Sequence, residues 1–173
     1  RTGTIDVLRK FTAAAGMTLE VVEPVIVGGE IVSSSRVRTL VAAGRIDDAR
    51  ALLTQPYRIR GMVTHGAGRG ARIGFPTANL SAIDTLLPGP GVYAGRATLQ
   101  GGPWPAAINI GGNPTFGEQA LKVEVHLIDF AGQLYGQPLE VEFLSRLRDV
   151  RPFSGIDELK AQLAGDVAAA REI

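Results

Sequence analysis

The apolar positions change period near Pro56. Upstream, Ile5, Leu8 and Phe11 recur at helical spacing and run into "TAAAG", which predicts a helix facing a core and closing at Gly16. "MTLEVVEPVIV" then alternates as a strand does, interrupted by Pro24. In "VSSSRVRTLVAAGRIDDARALL" the serines supply an N-cap ahead of Val37, Leu40 and Val41. Gly44 punctuates, and Ile46, Ala49, Leu52 and Leu53 begin a second helical pattern. Residues 1–53 therefore have an α/β texture.

Downstream, "YRIRGMVTHG", "GVYAGRATL", "PAAINIG", "LKVEVHLIDF" and "PLEVEFLSRL" are short alternating runs separated by Gly/Pro-rich connections. Such runs predict an antiparallel barrel or sandwich, and we read a mainly β, closed barrel. "GIDELKAQLAGDVAAAREI" returns to helical period as a C-terminal helix. Ser154 is its expected N-cap, with Asp157 in the capping-box position.

Composition narrows the function classes. The chain has 173 residues, 45% of them hydrophobic, enough to bury a core. Its net charge is +1 and aromatics make up 6%, so neither nucleic acid nor an anionic membrane is an expected partner. There is no cysteine, which removes thiolate chemistry and Cys-ligated zinc and suits a reducing cytoplasm, the expected location. No apolar run approaches the roughly 20 residues of a membrane helix. Residue 1 is Arg, so the sequence reads as a piece of a longer chain. Oligomeric state is not legible.

"GRGARIGFPTANL" sets a glycine-rich stretch beside a Pro-Thr-x-Asn. "GAGRGA" matches the dinucleotide fingerprint formally, but Gly74 and Pro76 follow too closely for the helix that a Rossmann turn must open. No Lys-Ser or Lys-Thr pair follows to make a P-loop. What remains is a mobile loop rich in N–H groups, carrying Arg69 and Arg72, which either folds over phosphates or simply connects strands. Thr77 and Asn79, two apart in an extended segment, point the same way and offer neutral oxygen ligands. They fit Mg²⁺ completed by substrate phosphates, or else satisfy turn backbone. In "LKVEVHLIDF", Val123, Val125 and Leu127 alternate with Lys122, Glu124 and His126. Glu124 is a general base if that face lines a cleft and a solvated cross-strand partner otherwise; His126 reads as a structural donor.

These stretches, with "PGVYAG", "INIGGNPTFG", "KVEVHLIDFAGQLYGQPLEVEFLSRLRD" and "FSGIDELKAQLAGDVAAAR", resemble the riboflavin kinase module of bacterial bifunctional FAD synthetases over Pro56 to Arg171. "RTGTIDVL" and "VSSSRVR" are similar to the end of those enzymes' FMN adenylyltransferase domain, without its H-x-G-H-type nucleotide signature. The resemblance implies a Greek-key-like barrel with a C-terminal helix at 54–173. Before it, at 1–53, would come the remnant of a truncated Rossmann-like nucleotidyltransferase domain plus linker. It implies transfer of the ATP γ-phosphoryl group to riboflavin, giving FMN and ADP, and FAD synthesis by the parent protein but doubtfully by this piece. Thr77 and Asn79 would bind Mg²⁺ and Glu124 would be the base. Gly66, Gly68, Arg72, Gly74, Thr77, Asn79, Leu127, Asp129 and Tyr135 would bind ATP, and Arg148, Arg151 and Phe153 the flavin. Arg148 has an alternative as a surface ion pair with Asp149 or Glu142. A flavin-binding barrel without catalysis is the competing function.

Overall fold

A computed structural model describes residues 4–99, 102–113 and 118–173, with the side chains of Asn113 and residues 118–120 left aside. Arg1-Thr2-Gly3 of "RTGTIDVL" and Pro114 to Gly117 of "INIGGNPTFG" lie outside these. The chain divides into two compact units, Arg1–Ser33 and Ser34–Ile173.

In the first unit, α1 (Ile5–Ala14) begins at Thr4, whose Oγ1 accepts from the Val7 N–H. It closes at Gly16 (φ 66°), where the Met17 N–H reaches Thr12 O at 2.8 Å and the Gly16 N–H reaches Ala13 O at 3.2 Å. Its apolar stripe meets no core: Ile5, Leu8 and Phe11 are all exposed. The expected strand over residues 17–27 shrinks to β1 (Ile26–Val27), paired antiparallel with β2 (Glu30–Ile31). Pro24 lacks a ladder donor, and among the described residues no third strand covers the exposed Val22 and Val25.

The second unit opens with α2 (Ser34–Ala42) and α3 (Ile46–Leu52). Gly44 (φ 72°) joins them, with the Arg45 N–H on Leu40 O and the Gly44 N–H on Val41 O. Val41, Ile46 and Ala49 are fully buried in the same cluster as the barrel core. Residues 34–52 thus pack with the strands that follow them.

Those strands are β3 (Tyr57–Thr64), β4 (Ala78–Ser81), β5 (Gly91–Leu99), β6 (Gly102–Asn113), β7 (Glu118–Leu127) and β8 (Pro138–Arg148). They close in the order β3-β4-β7-β6-β5-β8, every pair antiparallel. β5, β6 and β7 form a meander, and β8 returns beside β5, which is a Greek key. Alternate residues fill the interior: Ile59 and Val63, Ile108 and Ile110, Val123 and Val125, Leu139, Val141 and Phe143. At about 1.5–3 kcal/mol for each large side chain so buried, this core dominates the unit's stability. Tyr93 stands edge-on to Phe143 at 5.3 Å and donates its hydroxyl to Gly89 O; burial pushes its phenol pKa up.

The C-terminal helix α5 (Ile156–Arg171) lies on the barrel's outside, where Ala94, Ile128 and Ala170 form a second small cluster with Ala107, Leu147 and Val167. Its start differs from the Ser154/Asp157 box expected. Gly155 is the N-cap and makes no side-chain bond. Ser154 instead donates its N–H and Oγ–H to Glu158 Oε2 at 2.9 and 2.7 Å, while Arg151 donates to Oε1 at 2.8 Å. The longer Glu reaches back over the turn, which Asp157 is too short to do.

Ser154 and, after it, Arg151 hold the Glu158 carboxyl down to about 2, from 4.5. A lowered folded-state pKa adds stability that is complete above the unfolded value and lost as the pH falls through the folded one. Melting temperature should therefore drop between pH 4.5 and 2 more steeply in the wild type than in Glu158→Gln, the two converging at the acid end. Equal slopes would remove this contact from the stability of the helix start.

Candidate active site

The barrel's alternation puts chemistry on its outer surface. Between the buried Ala106, Ile108 and Ile110 of β6 stand Ala107 and Asn109. Between Val123, Val125 and Leu127 of β7 stand Glu124 and His126. Register then lines up side chains from separate strands: Asn79 opposes Glu124, Glu124 opposes Asn109, Asn109 opposes Val92, and Val92 opposes Arg148. This cross-strand row floors a cleft of about 1110 Å³, counting the solvent in its mouth, walled by residues 67–75 and by α5. Thr77, Asn79 and Glu124 all line it, as the period-two reading requires.

Two contacts set the polar end. Asn109 Nδ2 donates to Glu124 Oε2 at 3.4 Å, from the neighbouring strand. His126 Nδ1 lies 2.7 Å from Pro76 O; a carbonyl only accepts, so Nδ1 carries the proton. Phe75 meets the same imidazole edge-on at 5.8 Å. His126 thereby ties β7 to the segment that presents Thr77 and Asn79.

The glycine stretch holds more structure than a loop. Gly68 (φ 64°) precedes a single helical turn, α4 (Arg69–Arg72), and the Phe75 N–H returns to Gly70 O at 2.8 Å. A β-carbon on Gly66 would lie 2.6 Å from Asn79 Cγ, so Gly66 permits a close approach to the proposed metal ligand. Gly66 lines a second, more open cavity with Thr64, His65, Asn79 and Lys122, adjoining the first at Asn79 and Lys122.

At the opposite end Arg148 is held from α5. Its Nε and a terminal nitrogen donate to Asp166 at 2.9 and 2.7 Å, and Gln162 donates to the same carboxylate at 2.9 Å. Asp166 is 4% exposed. The partner is therefore neither Asp149 nor Glu142: Asp149 gives Arg148 only its backbone oxygen, and Glu142 pairs with Arg58. Phe153 stacks beneath the guanidinium groups of Arg148 and Arg151, at 5.7 and 4.4 Å.

Of the residues singled out from sequence, Gly68, Thr77, Asn79, Glu124, Arg148, Arg151 and Phe153 line the main cleft. Others stand elsewhere. Leu127 points into the barrel core, because it shares parity with Val123 and Val125. Asp129 (φ 61°) pairs with Arg171 at 3.0 Å. Tyr135 stacks on His65 at 4.0 Å. Arg72 and Gly74 are exposed, whereas Arg69 lines the cleft. Asn109, Gln162 and Asp166 were not anticipated. Asn109 is marked only by strand register, and the other two only by the spacing of α5.

Comparison with known proteins bears on the family and the fold. The Flavokinase family model, described as riboflavin kinase, matches residues 53–173. A bifunctional riboflavin kinase/FMN adenylyltransferase of Pseudomonas fluorescens is 40% identical over 100% of this chain and 56% of its own length. Its namesake in Bacillus subtilis is 40% identical over 88% of this chain and 49% of its own. A Streptococcus pneumoniae chain, whose crystal structure is described as a macrolide-efflux protein, aligns with TM-score 0.87 and 33% identity over 99% of this chain and 56% of that one. The chain spans about half the length of the curated relatives it matches. Among the described residues no helix is long and apolar enough to cross a membrane. By the family match over more than half of its length, the chain belongs to the riboflavin kinase (flavokinase) family.

Proposed function

We propose that this chain transfers the γ-phosphoryl group of ATP to the ribityl 5′-hydroxyl of riboflavin. The observation that carries the reading is the meeting of Thr77, Asn79 and Glu124 on one outer face of the barrel, in a cleft walled by the glycine segment. The bond formed joins the 5′-oxygen to the γ-phosphorus; the bond broken is that between the γ-phosphorus and the β-γ bridging oxygen. FMN and ADP leave. A primary alcohol is too weak an acid to lose its proton first, so Glu124 orients the hydroxyl and takes the proton late, as the new P–O bond forms. Asn109, donating to Oε2, helps aim that carboxylate.

Thr77 and Asn79 supply neutral oxygens beside a single carboxylate, and among the described residues no trio of His, Asp or Glu forms an all-protein metal cage. That donor set fits Mg²⁺ arriving with nucleotide phosphates. Once bound, the ion would neutralise charge on the transferring phosphoryl group. Gly66, Gly68 and Arg69 stand where they can meet the phosphates, and Arg148, Arg151 and Phe153 where they can meet the flavin. Leu127, as a buried core residue, would act on the nucleotide only through the barrel wall.

The proposed division stays at 53/54, with residues 34–53 as a linker docked on the kinase module. For residues 1–33, the exposed stripe of Ile5, Leu8 and Phe11 supports a fragment of a larger domain, which we take as the FMN adenylyltransferase of the bifunctional relatives' names, with a Rossmann-like fold as our own reading. The parent protein would then also make FAD.

Incubation with riboflavin, ATP and Mg²⁺ should yield FMN without FAD on chromatography. A chain that binds flavin and forms no FMN would instead be the non-catalytic barrel. Glu124→Ala should lower kcat by a factor on the order of 10² to 10⁴ and leave riboflavin affinity nearly unchanged; retained turnover would reject the base. Gly66→Ala should raise the Mg²⁺ concentration for half-maximal rate by displacing Asn79, with little change in melting temperature. An unaltered Mg²⁺ titration would detach Asn79 from the metal.

A further inference from the structure

Glu158, Gln162 and Asp166 fall four residues apart on α5, so their side chains follow one another along one helix face. All three are engaged with cleft arginines. Arg151 donates to Glu158 Oε1 at 2.8 Å and to Gln162 Oε1 at 3.2 Å. Gln162 Nε2 donates to Asp166 Oδ1 at 2.9 Å, and Asp166 receives Arg148. Gln162 is thus bonded in both directions, to one arginine and to the carboxylate that holds the other.

The chemistry of each position follows from this. Asp166 is buried to 4% exposure, which its charge tolerates because Arg148 and Gln162 satisfy it. Nε, NH1 and NH2 of Arg148 each donate to protein, which leaves one N–H on each terminal nitrogen for a ligand acceptor. Phe153 packs against both guanidinium groups and limits their rotation. Arginines ordered before the substrate arrives avoid the entropy of ordering them on binding.

We propose that Glu158, Gln162 and Asp166 are positioning residues, a polar rail that presets Arg148 and Arg151 together for the acceptor-rich flavin, with Gln162 coupling the two. The role rests on the kinase reading above. The rail itself touches no substrate and acts through the arginines.

Gln162→Leu preserves bulk and severs both bonds. It should raise KM for riboflavin, and the Kd read from quenching of flavin fluorescence, by about ten- to thirtyfold, the scale of one lost hydrogen bond to a charged group. Because the rail presets binding rather than the phosphoryl step, kcat should stay within about twofold and KM for ATP should hold. Unchanged riboflavin KM and Kd, or a fall confined to kcat, would overturn the proposal. A thermal-stability cycle of Arg148→Met and Arg151→Met tests the coupling without any activity. The pair should be non-additive in the wild-type background, and the coupling should fall in Gln162→Leu to the part carried by their shared contact with Phe153. If Gln162→Leu does not fold, Gln162→Ala, which severs the same two bonds, takes its place; additivity in the wild-type background, or coupling undiminished in the Gln162 variant, overturns the proposal. A wild type that forms no FMN would refute the kinase reading and leave the rail to be judged by this cycle.

Discussion

A barrel closed by so few strands is too narrow to hold anything but its own side chains, and this constraint shapes the rest of the second unit. Tyr93, Phe143 and the aliphatic residues around them fill the interior, so any ligand must sit outside. An outer strand face is open to water, however, and the proposed phosphoryl transfer would compete with hydrolysis unless water is kept away. The cleft therefore needs walls that the strands cannot supply. The glycine stretch provides one and α5 the other. Ala94 and Ala107 are small, which lets α5 come close enough to do so.

The two walls are built by different physics. On the glycine side the requirement is close approach: Gly66 leaves room for the Asn79 amide, and Gly70 lies against the Phe75 carbonyl. Side chains would push the backbone off the polar floor there. On the α5 side the requirement is order, and polar side chains spaced along one helix face meet it by fixing two long arginines. Between the walls, the row from Asn79 through Glu124 and Asn109 to Arg148 is set by strand register alone. A one-residue slip of β7 would turn Glu124 into the core and Val125 into the cleft, so burial of the valines enforces the position of the carboxylate.

Legibility followed the range of the interaction responsible. Alternation in "LKVEVHLIDF" is local, and it was enough to place Glu124 and the buried Val125 on opposite faces. The period shared by the downstream runs announced strands but fitted barrel and sandwich alike; closure shows only in β3 pairing with both β4 and β8. The partner of Arg148 was not: Asp149 is adjacent in sequence, whereas Asp166 reaches it only once α5 has folded back along the barrel. Asn109 depends in the same way on register between strands whose connection includes undescribed residues. Leu127 shows the reverse case, since its parity with Val123 already pointed inward and the family likeness drew attention past it. Upstream, the helix signals in residues 5–16 were sound as local signals, but a strand needs partners, and among the described residues none pairs as a strand with residues 17–24.

Near-neutral net charge proved a statement about extended partners rather than about anions in general. Arg69, Lys122, Arg148 and Arg151 line one cleft together with Glu124 and Asp166, and two of these cations are offset from α5, Arg148 by Asp166 and Arg151 by Glu158. At an effective dielectric constant near 20, two unit charges 4 Å apart interact by about 4 kcal/mol, while ionic screening sets in over about 8 Å at physiological salt. A polyphosphate inside the cleft is therefore governed by the cations within one screening length, and a total of +1 spread over the surface contributes little. A nucleic acid strand would need that cationic character continued along its backbone beyond the cleft. A short row of cleft cations, two of them already matched, thus suits a compact anion better than an extended one.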